Sequence, residues 1–93
     1  MTRIEQYDAI ATEARELFMK KNTDYGDSFA EDGPIGVLVR MKDKLSRAVN
    51  VSKSGITLVS SESLRETSID LKNYATMIVM LLDQIKEYER NVE

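Results

Sequence analysis

Cysteine and histidine are both absent from the 93-residue chain. Their absence excludes disulfide bonds, thiolate chemistry, the common zinc sites and imidazole acid/base catalysis. Ligand binding or catalysis must therefore rely on carboxylates, amines, guanidinium groups and hydroxyls.

Long apolar runs are missing as well. No apolar signal-peptide core follows the first methionine, and no run of about 18 apolar residues is present. The sequence therefore predicts a cytoplasmic protein without a membrane partner. Its formal net charge of −3 argues against long DNA or RNA as a partner, because binding these polyanions normally requires a basic face.

The length of the chain predicts a single domain over residues 1–93. A domain of this size buries only about 60% of the surface that its unfolded chain exposes, so additional apolar surface is expected to be covered by another copy. We therefore expect a homo-oligomer, a dimer or larger.

Helical periodicity describes most of the chain. Thr2 and Glu5 have the spacing of a capping box, and a first helix of about 18 residues follows them. A polar loop is predicted at Lys20–Phe29, and a second helix runs from Pro34 to about Ser52. The predicted apolar seams of the two helices are Ile4, Tyr7, Ala11, Ala14 and Phe18 in the first, and Leu38, Met41, Leu45 and Ala48 in the second.

A third helix is predicted from about Glu62 to Arg90, roughly 42 Å long at 1.5 Å per residue. Its stretch Tyr74–Leu82 is apolar on nearly every face and must be covered on all sides, which predicts an oligomeric helical bundle. The fold class is thus all-α, a three-helix protomer with a long C-terminal helix. The short segment Ile56–Val59 is interpreted as a loop, and Glu13 with Glu16 as solvated charges.

Two charged stripes border the apolar faces of the second and third helices. Like charges at helical spacing repel each other by a few tenths of a kcal/mol per pair, so the acidic stripe is expected to face cations or a metal. The basic stripe consists of Arg40, Lys44 and Arg47, and the acidic stripe consists of Glu62, Glu66, Asp70 and Asn73.

Two interpretations of the stripes remain open. They either form salt bridges along a helix interface, or they line a pocket in which carboxylates hold a divalent cation and Lys/Arg side chains bind phosphate. In a pocket, Asp24 would supply a polar contact and Tyr25 a stacking surface, while Gly26 would let the backbone approach closely. Asp24-Tyr25-Gly26 is otherwise an ordinary turn.

Three blocks, KKNTDYGDSF, GVLVRMKDKLSRAVN and ESLRETSIDLKNYATM, resemble in this order the blocks of the family called nucleotide modification associated domain 1, small proteins common in phages and prophages. The resemblance covers roughly residues 17–82, and Glu66 departs from the aspartate expected there. It implies an all-α protein connected with nucleotides, located in the host cytoplasm if phage-encoded. The matching signature positions are Lys21, Asp24, Tyr25, Gly26, Arg40, Asp43, Lys44, Arg47, Glu62, Thr67, Asp70, Asn73, Tyr74 and Ala75.

The helical arrangement is similar, more distantly, to the MazG-like all-α nucleotide pyrophosphatases, oligomeric bundles in which E-x-x-E and E-x-x-D motifs hold magnesium. That resemblance implies Mg²⁺ as a cofactor at Glu62, Glu66 and Asp70. Here the carboxylates are spaced by four residues rather than three, and Lys44 and Arg47 stand where further carboxylates would be needed. This basic partner weakens the case for several magnesium ions and an activated water.

Three functions are compatible with these features. The first is binding of a small phosphorylated nucleotide without turnover, for example a signalling nucleotide captured by a phage protein that acts as a sponge. The second is Mg²⁺-dependent pyrophosphohydrolysis of nucleoside triphosphates, and the third is a structural helical adaptor. We favour the first over the second, and the second over the third. The predicted ligand-binding residues are Lys21, Asp24, Tyr25, Arg40, Lys44, Arg47 and Asn73.

Overall fold

A computed structural model describes the backbone of residues 1–54 and 61–92, and the side chains of residues 1–50 and 64–92 apart from Tyr25. The regular structure in these ranges is helical throughout, which confirms the all-α, three-helix prediction. The segment Ile56–Val59, predicted to be a loop, lies outside the described residues. In chain order the elements are α1 at Arg3–Tyr25, a 3₁₀ turn at Ser28–Ala30, α2 at Gly33–Ser54 and α3 at Ser61–Val92.

The start of α1 is capped as the sequence predicts. The side-chain oxygen of Thr2 accepts a hydrogen bond from the backbone N–H of Glu5, at 3.1 Å. This bond satisfies one of the N–H groups that have no partner within the first turn of a helix.

The end of α1 differs from the prediction. The helix has 23 residues and continues through Tyr25, so residues 20–25 are helical and not part of a polar loop. The hydroxyl of Thr23 donates to the backbone carbonyl of Met19 at 2.8 Å, one turn back along the helix. The helix stops at Gly26, whose φ of 61° lies in a region that favours glycine. The predicted loop is therefore reduced to a short connection.

The first turn of α2 packs tightly against the residue that precedes it. The backbone N–H of Gly36 donates to the carbonyl of Asp32 at 3.3 Å. A Cβ atom at Gly36 would lie only 2.3 Å from the Cβ atom of Asp32. Only glycine fits this approach without a movement of the backbone.

The core is small and lies mainly between α2 and α3, since α3 packs less extensively against α1. On α2 the fully buried residue is Val37, whereas Leu38 and Leu45 are each 50% exposed. The predicted α2 seam is therefore wrong at these two leucines, because the helix is apolar on two adjacent faces and periodicity alone does not identify the inner one. The buried hydrophobic residues of the described chain are Ala14, Val37, Ile69 and Leu81.

Several polar contacts attach α3 to α1, and two of them lie near the middle of α1. The side-chain N–H of Asn73 donates to the backbone carbonyl of Ala14 at 3.0 Å. Arg65 donates two hydrogen bonds of 2.6 Å to the carboxylate of Glu13, and these bonds hold the pKa of Glu13 below its ordinary value. Glu13 is exposed, as expected, but it is also an interhelical contact that the sequence did not predict.

Much apolar surface remains exposed on the protomer. One face of α2 presents an apolar ridge, which we define as Ile35, Leu38, Leu45 and Val49, and α3 exposes Val79, Leu82 and Ile85 among others. No helix within the described ranges combines the length and the apolar character that crossing a membrane requires.

Candidate functional site

A cavity of about 300 Å³ lies at the junction of all three helices. This volume is at the lower end of the range for small-molecule sites, roughly 300–1,000 Å³. Its walls come from the last turns of α1, the 3₁₀ turn, one side chain of α2 and the middle of α3. The lining residues are Phe18, Lys21, Asn22, Gly26, Ser28, Phe29, Arg40, Asp70, Asn73, Tyr74 and Met77.

Helical spacing explains why these side chains face one space. In α3 the lining residues are separated by three, one and three positions, from Asp70 to Met77, which places them on one helical face. In α1 the lining residues Phe18, Lys21 and Asn22 have the same i, i+3, i+4 relation.

The apolar wall of the cavity is built on two phenylalanines. The rings of Phe18 and Phe29 make an edge-to-face contact with their centroids 5.9 Å apart, a geometry that aromatic quadrupoles favour. The 3₁₀ turn carries Phe29 to this position, and the amide of Asn22 donates to the carboxylate of Asp27 at 3.1 Å to hold the turn. The wall is suited to the flat, apolar part of a ligand.

A charged cluster of three side chains, one from each helix, lies at the cavity, and we call it the ionic clasp: Lys21 and Asp70 line the cavity, and Lys44 borders it through Asp70. The Nζ atom of Lys44 lies 2.7 Å from one carboxylate oxygen of Asp70, and the Nζ atom of Lys21 lies 3.3 Å from the other. Burial alone would raise the pKa of Asp70, but the two ammonium groups outweigh it and lower this pKa below its ordinary value. Asp70 is therefore ionised at neutral pH.

Two further contacts define the polar surroundings of the clasp. Lys44 also lies over the ring of Tyr74, 5.9 Å from its centroid, at the distance of a cation–π contact. Arg40 lines the cavity, and its guanidinium nitrogen is 3.7 Å from an oxygen of the exposed Asp32 carboxylate. This is a loose pair, which leaves the guanidinium able to bind another anion.

The structure brings together four of the predicted ligand-binding residues. Lys21, Arg40 and Asn73 line the cavity, and Lys44 borders it through its contact with Asp70. The amide nitrogen of Asn73 is already used by the carbonyl of Ala14, so this side chain also holds α1 against α3.

The other predicted ligand-binding residues are placed differently. Arg47 is 76% exposed and its guanidinium pairs with Asp43 of the same helix at 2.6 Å, and it is not among the residues that line the cavity. Asp24 is exposed in the last turn of α1. The side chain of Tyr25 lies outside the described residues, so its stacking role stays a prediction.

The predicted metal ligands do not form a described cluster. Asp70 contacts two ammonium groups and Glu66 is exposed, while the side chain of Glu62 lies outside the described residues. Among the side chains that the structure describes, no three carboxylates are close enough to hold a metal ion. A site for Mg²⁺ stays a prediction that depends on Glu62.

Sequence reasoning missed the apolar side of the cavity. The sequence indicates Phe18 only as part of the apolar seam of α1 and Met77 only as part of the apolar stretch that predicts oligomerisation, whereas Tyr74 is also a signature position of the family resemblance. A signal for the two α3 residues was present, because they continue the helical face of Asp70 and Asn73. No comparable signal marks Phe29, which the 3₁₀ turn brings to the cavity.

Comparison with protein families matches residues 21–82, two thirds of the chain, to nucleotide modification associated domain 1. The chain belongs to this family. The matched range contains the complete ionic clasp and the residues of α2 and α3 that line the cavity. The comparison with curated proteins and the comparison with solved structures found no match.

Proposed function

We propose that the protein binds a small phosphorylated nucleotide in the cavity at the junction of its three helices. The observation that carries this proposal is a small cavity lined by the cationic Lys21 and Arg40 and by the rings of Phe18 and Phe29, with Lys44 at its border. Lys21, Lys44 and Arg40 suit phosphate oxygens, the lysines as point charges and the arginine through a bidentate fork. The rings of Phe18 and Phe29 suit a base or a sugar face.

Binding without turnover is favoured over hydrolysis by the state of Asp70. Both of its carboxylate oxygens are in contact with ammonium groups, whereas metal-assisted hydrolysis requires carboxylates that coordinate a cation with a position open for water. Capture of a signalling nucleotide in the host cytoplasm by a phage-encoded sponge is the specific form of this proposal.

We also propose that the protein is a homo-oligomer. The apolar ridge of α2 and the exposed apolar residues of α3 exceed what scattered surface hydrophobics account for. Their coverage by further copies would complete the helical bundle that the sequence predicts.

The test incubates purified protein with a panel of nucleotides, with and without Mg²⁺, and follows both the melting temperature and the products. A higher melting temperature with the nucleotide recovered intact supports capture. Release of pyrophosphate would establish the hydrolase instead. No stabilisation and no product across the panel would leave the structural adaptor as the function.

A further inference from the structure

We propose that Asp70 is a built-in competitor for the phosphate group of the ligand, because its carboxylate occupies the ammonium groups of Lys21, which lines the cavity, and of Lys44, which borders it. The assignment rests on the proposed function for the identity of the ligand. The competition itself follows from the ionic clasp, in which one carboxylate oxygen faces Lys44 at 2.7 Å and the other faces Lys21 at 3.3 Å.

The position of Asp70 makes the competition direct. The carboxylate lines the cavity, and its side chain is only 17% exposed, compared with 33% for Lys44 and 54% for Lys21. An anion that enters the cavity therefore meets Lys21 with part of its charge already neutralised by Asp70, and the same carboxylate contacts Lys44 at the border of the cavity. Lysine side chains are long and flexible point charges, so they can move from one anion to another without a rearrangement of the helices.

The charge balance of the cavity indicates what Asp70 does to affinity. Lys21 and Arg40 in the cavity and Lys44 at its border supply three positive charges, of which Asp70 offsets one, while Asp32 pairs loosely with Arg40 at 3.7 Å. Coulomb attraction to a phosphate is correspondingly weaker than the three cations alone would give. Replacing Asp70 by a neutral residue of the same shape should strengthen anion binding, which is the opposite of the result expected for a metal ligand or a direct ligand contact.

The test measures the affinity of the full-length protein for pyrophosphate by calorimetry at fixed ionic strength, in wild type and in Asp70→Asn. We expect Asp70→Asn to bind about tenfold more tightly, an estimate based on the loss of two partly exposed ion-pair contacts. The matched control is Asp43→Asn, which changes the net charge equally but frees only the exposed Arg47 outside the cavity. Its affinity should stay within about twofold of wild type.

Two results would overturn the inference: an unchanged or weaker affinity in Asp70→Asn, or an equal gain in both variants, which would reflect net charge alone. The double variant Asp70→Asn/Lys44→Gln adds a check, because it should lose the gain if Lys44 is the group that is released. Circular dichroism of each variant establishes that the helices are retained.

A second measurement uses the unmodified protein and does not depend on the folding of any variant. The side-chain carboxyl carbon of Asp70 is titrated by NMR with and without pyrophosphate. Lys21 from α1 and Lys44 from α2 contact Asp70, and Arg40 from α2 and Tyr74 on its own helix line the same cavity. Bound pyrophosphate should raise the pKa of Asp70, both through its own negative charge and by drawing the lysines away; an unchanged midpoint at saturating pyrophosphate contradicts the competition.

Failure of the inference and failure of the proposed function give different results. If nucleotides stabilise the wild type but Asp70→Asn binds pyrophosphate no better, the function stands and the competition is wrong. If Asp70→Asn binds pyrophosphate more tightly while no nucleotide stabilises either protein, the competition stands and the natural ligand is a different phosphorylated compound.

Discussion

Lys44 serves both the fold and the proposed site. Its ammonium group forms the shorter contact of the ionic clasp and also lies over the ring of Tyr74. Arg47, one turn further along α2, pairs only with Asp43 in an exposed i, i+4 arrangement. Such exposed pairs contribute about 0.3–0.5 kcal/mol. The two cations of one predicted stripe are therefore expected to behave differently when they are removed.

Lys44→Met should lower the free energy of unfolding by about 1–2 kcal/mol, because it leaves the partly buried carboxylate of Asp70 with only the longer contact, to Lys21 at 3.3 Å. Arg47→Met should lower it by less than about 0.5 kcal/mol. Urea denaturation measures both values. Lys44→Met should also abolish the stabilisation by nucleotide, which Arg47→Met retains. Equal effects of the two substitutions on ligand binding would contradict the location of the site.

Lowering the pH should weaken the ionic clasp. The pKa of Asp70 in the folded protein lies below its ordinary value of 3.8, so its stabilising contribution is complete above that value and is lost as the pH falls through the folded pKa. The difference in unfolding free energy between wild type and Asp70→Asn should be constant above about pH 5 and shrink at lower pH. Urea denaturation at several pH values measures it, and a pH-independent difference would contradict the assignment.

At the scale of elements, α1 shows what the sequence determines and what it does not. Its start was predictable because the Thr2 cap is a local signal. Its end was not, because polar residues such as Lys21 and Asn22 are compatible with both a loop and a helical turn, and the stop at Gly26 depends on backbone geometry. The consequence for the site is large, since Lys21 and Asn22 reach the cavity from a helix and not from a loop.

Pairing between elements was predictable only in part. Salt bridges between the basic and acidic stripes were one of two interpretations that the sequence left open. Lys44 contacts Asp70 of the acidic stripe, whereas Arg40 pairs with Asp32 and Arg47 with Asp43. The participation of Lys21 was not implied by either stripe, because the approach of α1 to α3 is set by packing around Ala14. The seam of α2 was predicted wrongly for a related reason: two adjacent faces of this helix are apolar, and only packing decides which one is buried.

The first turn of α2 gives a prediction at this scale. Gly36→Ala should destabilise the protein, because the new Cβ would lie 2.3 Å from Cβ of Asp32 and overpacking typically costs about 1–3 kcal/mol. The gain in helix propensity, about 1 kcal/mol, offsets only part of this cost.

The matched control is Ser46→Ala, at an exposed position of the same helix, which changes propensity without a collision. Thermal unfolding of both variants should show a lower melting temperature for Gly36→Ala and an unchanged or slightly higher one for Ser46→Ala. A Gly36→Ala variant as stable as wild type would mean that Asp32 moves away without cost.

At the scale of the whole molecule, the protomer is elongated, about 53 × 33 × 25 Å, and its interior is small. Only four hydrophobic residues of the described chain are buried, whereas the apolar ridge of α2 lies in solvent on the protomer. A side chain of Leu size contributes about 1.5–3 kcal/mol when fully buried. Covering the ridge would therefore supply stabilisation that the isolated protomer lacks.

Leu45→Gln should weaken self-association if the ridge is covered by another copy. Light scattering coupled to gel filtration should give a mass above one protomer for wild type and a smaller mass, or a concentration-dependent one, for Leu45→Gln. Ser46→Gln is the control, since it introduces the same side chain at the neighbouring exposed position. A wild-type protein that elutes as a monomer at all concentrations would contradict the proposed oligomer.

The final three turns of α3 extend beyond the last buried residue, Leu81, and every described side chain from Leu82 to Val92 is exposed. Helix ends with few buried contacts open locally at low free energy. The amide protons of these turns should therefore exchange with deuterium rapidly on a solitary protomer. Slow exchange there would indicate that a neighbouring chain covers these turns. This measurement does not require the ligand to be known.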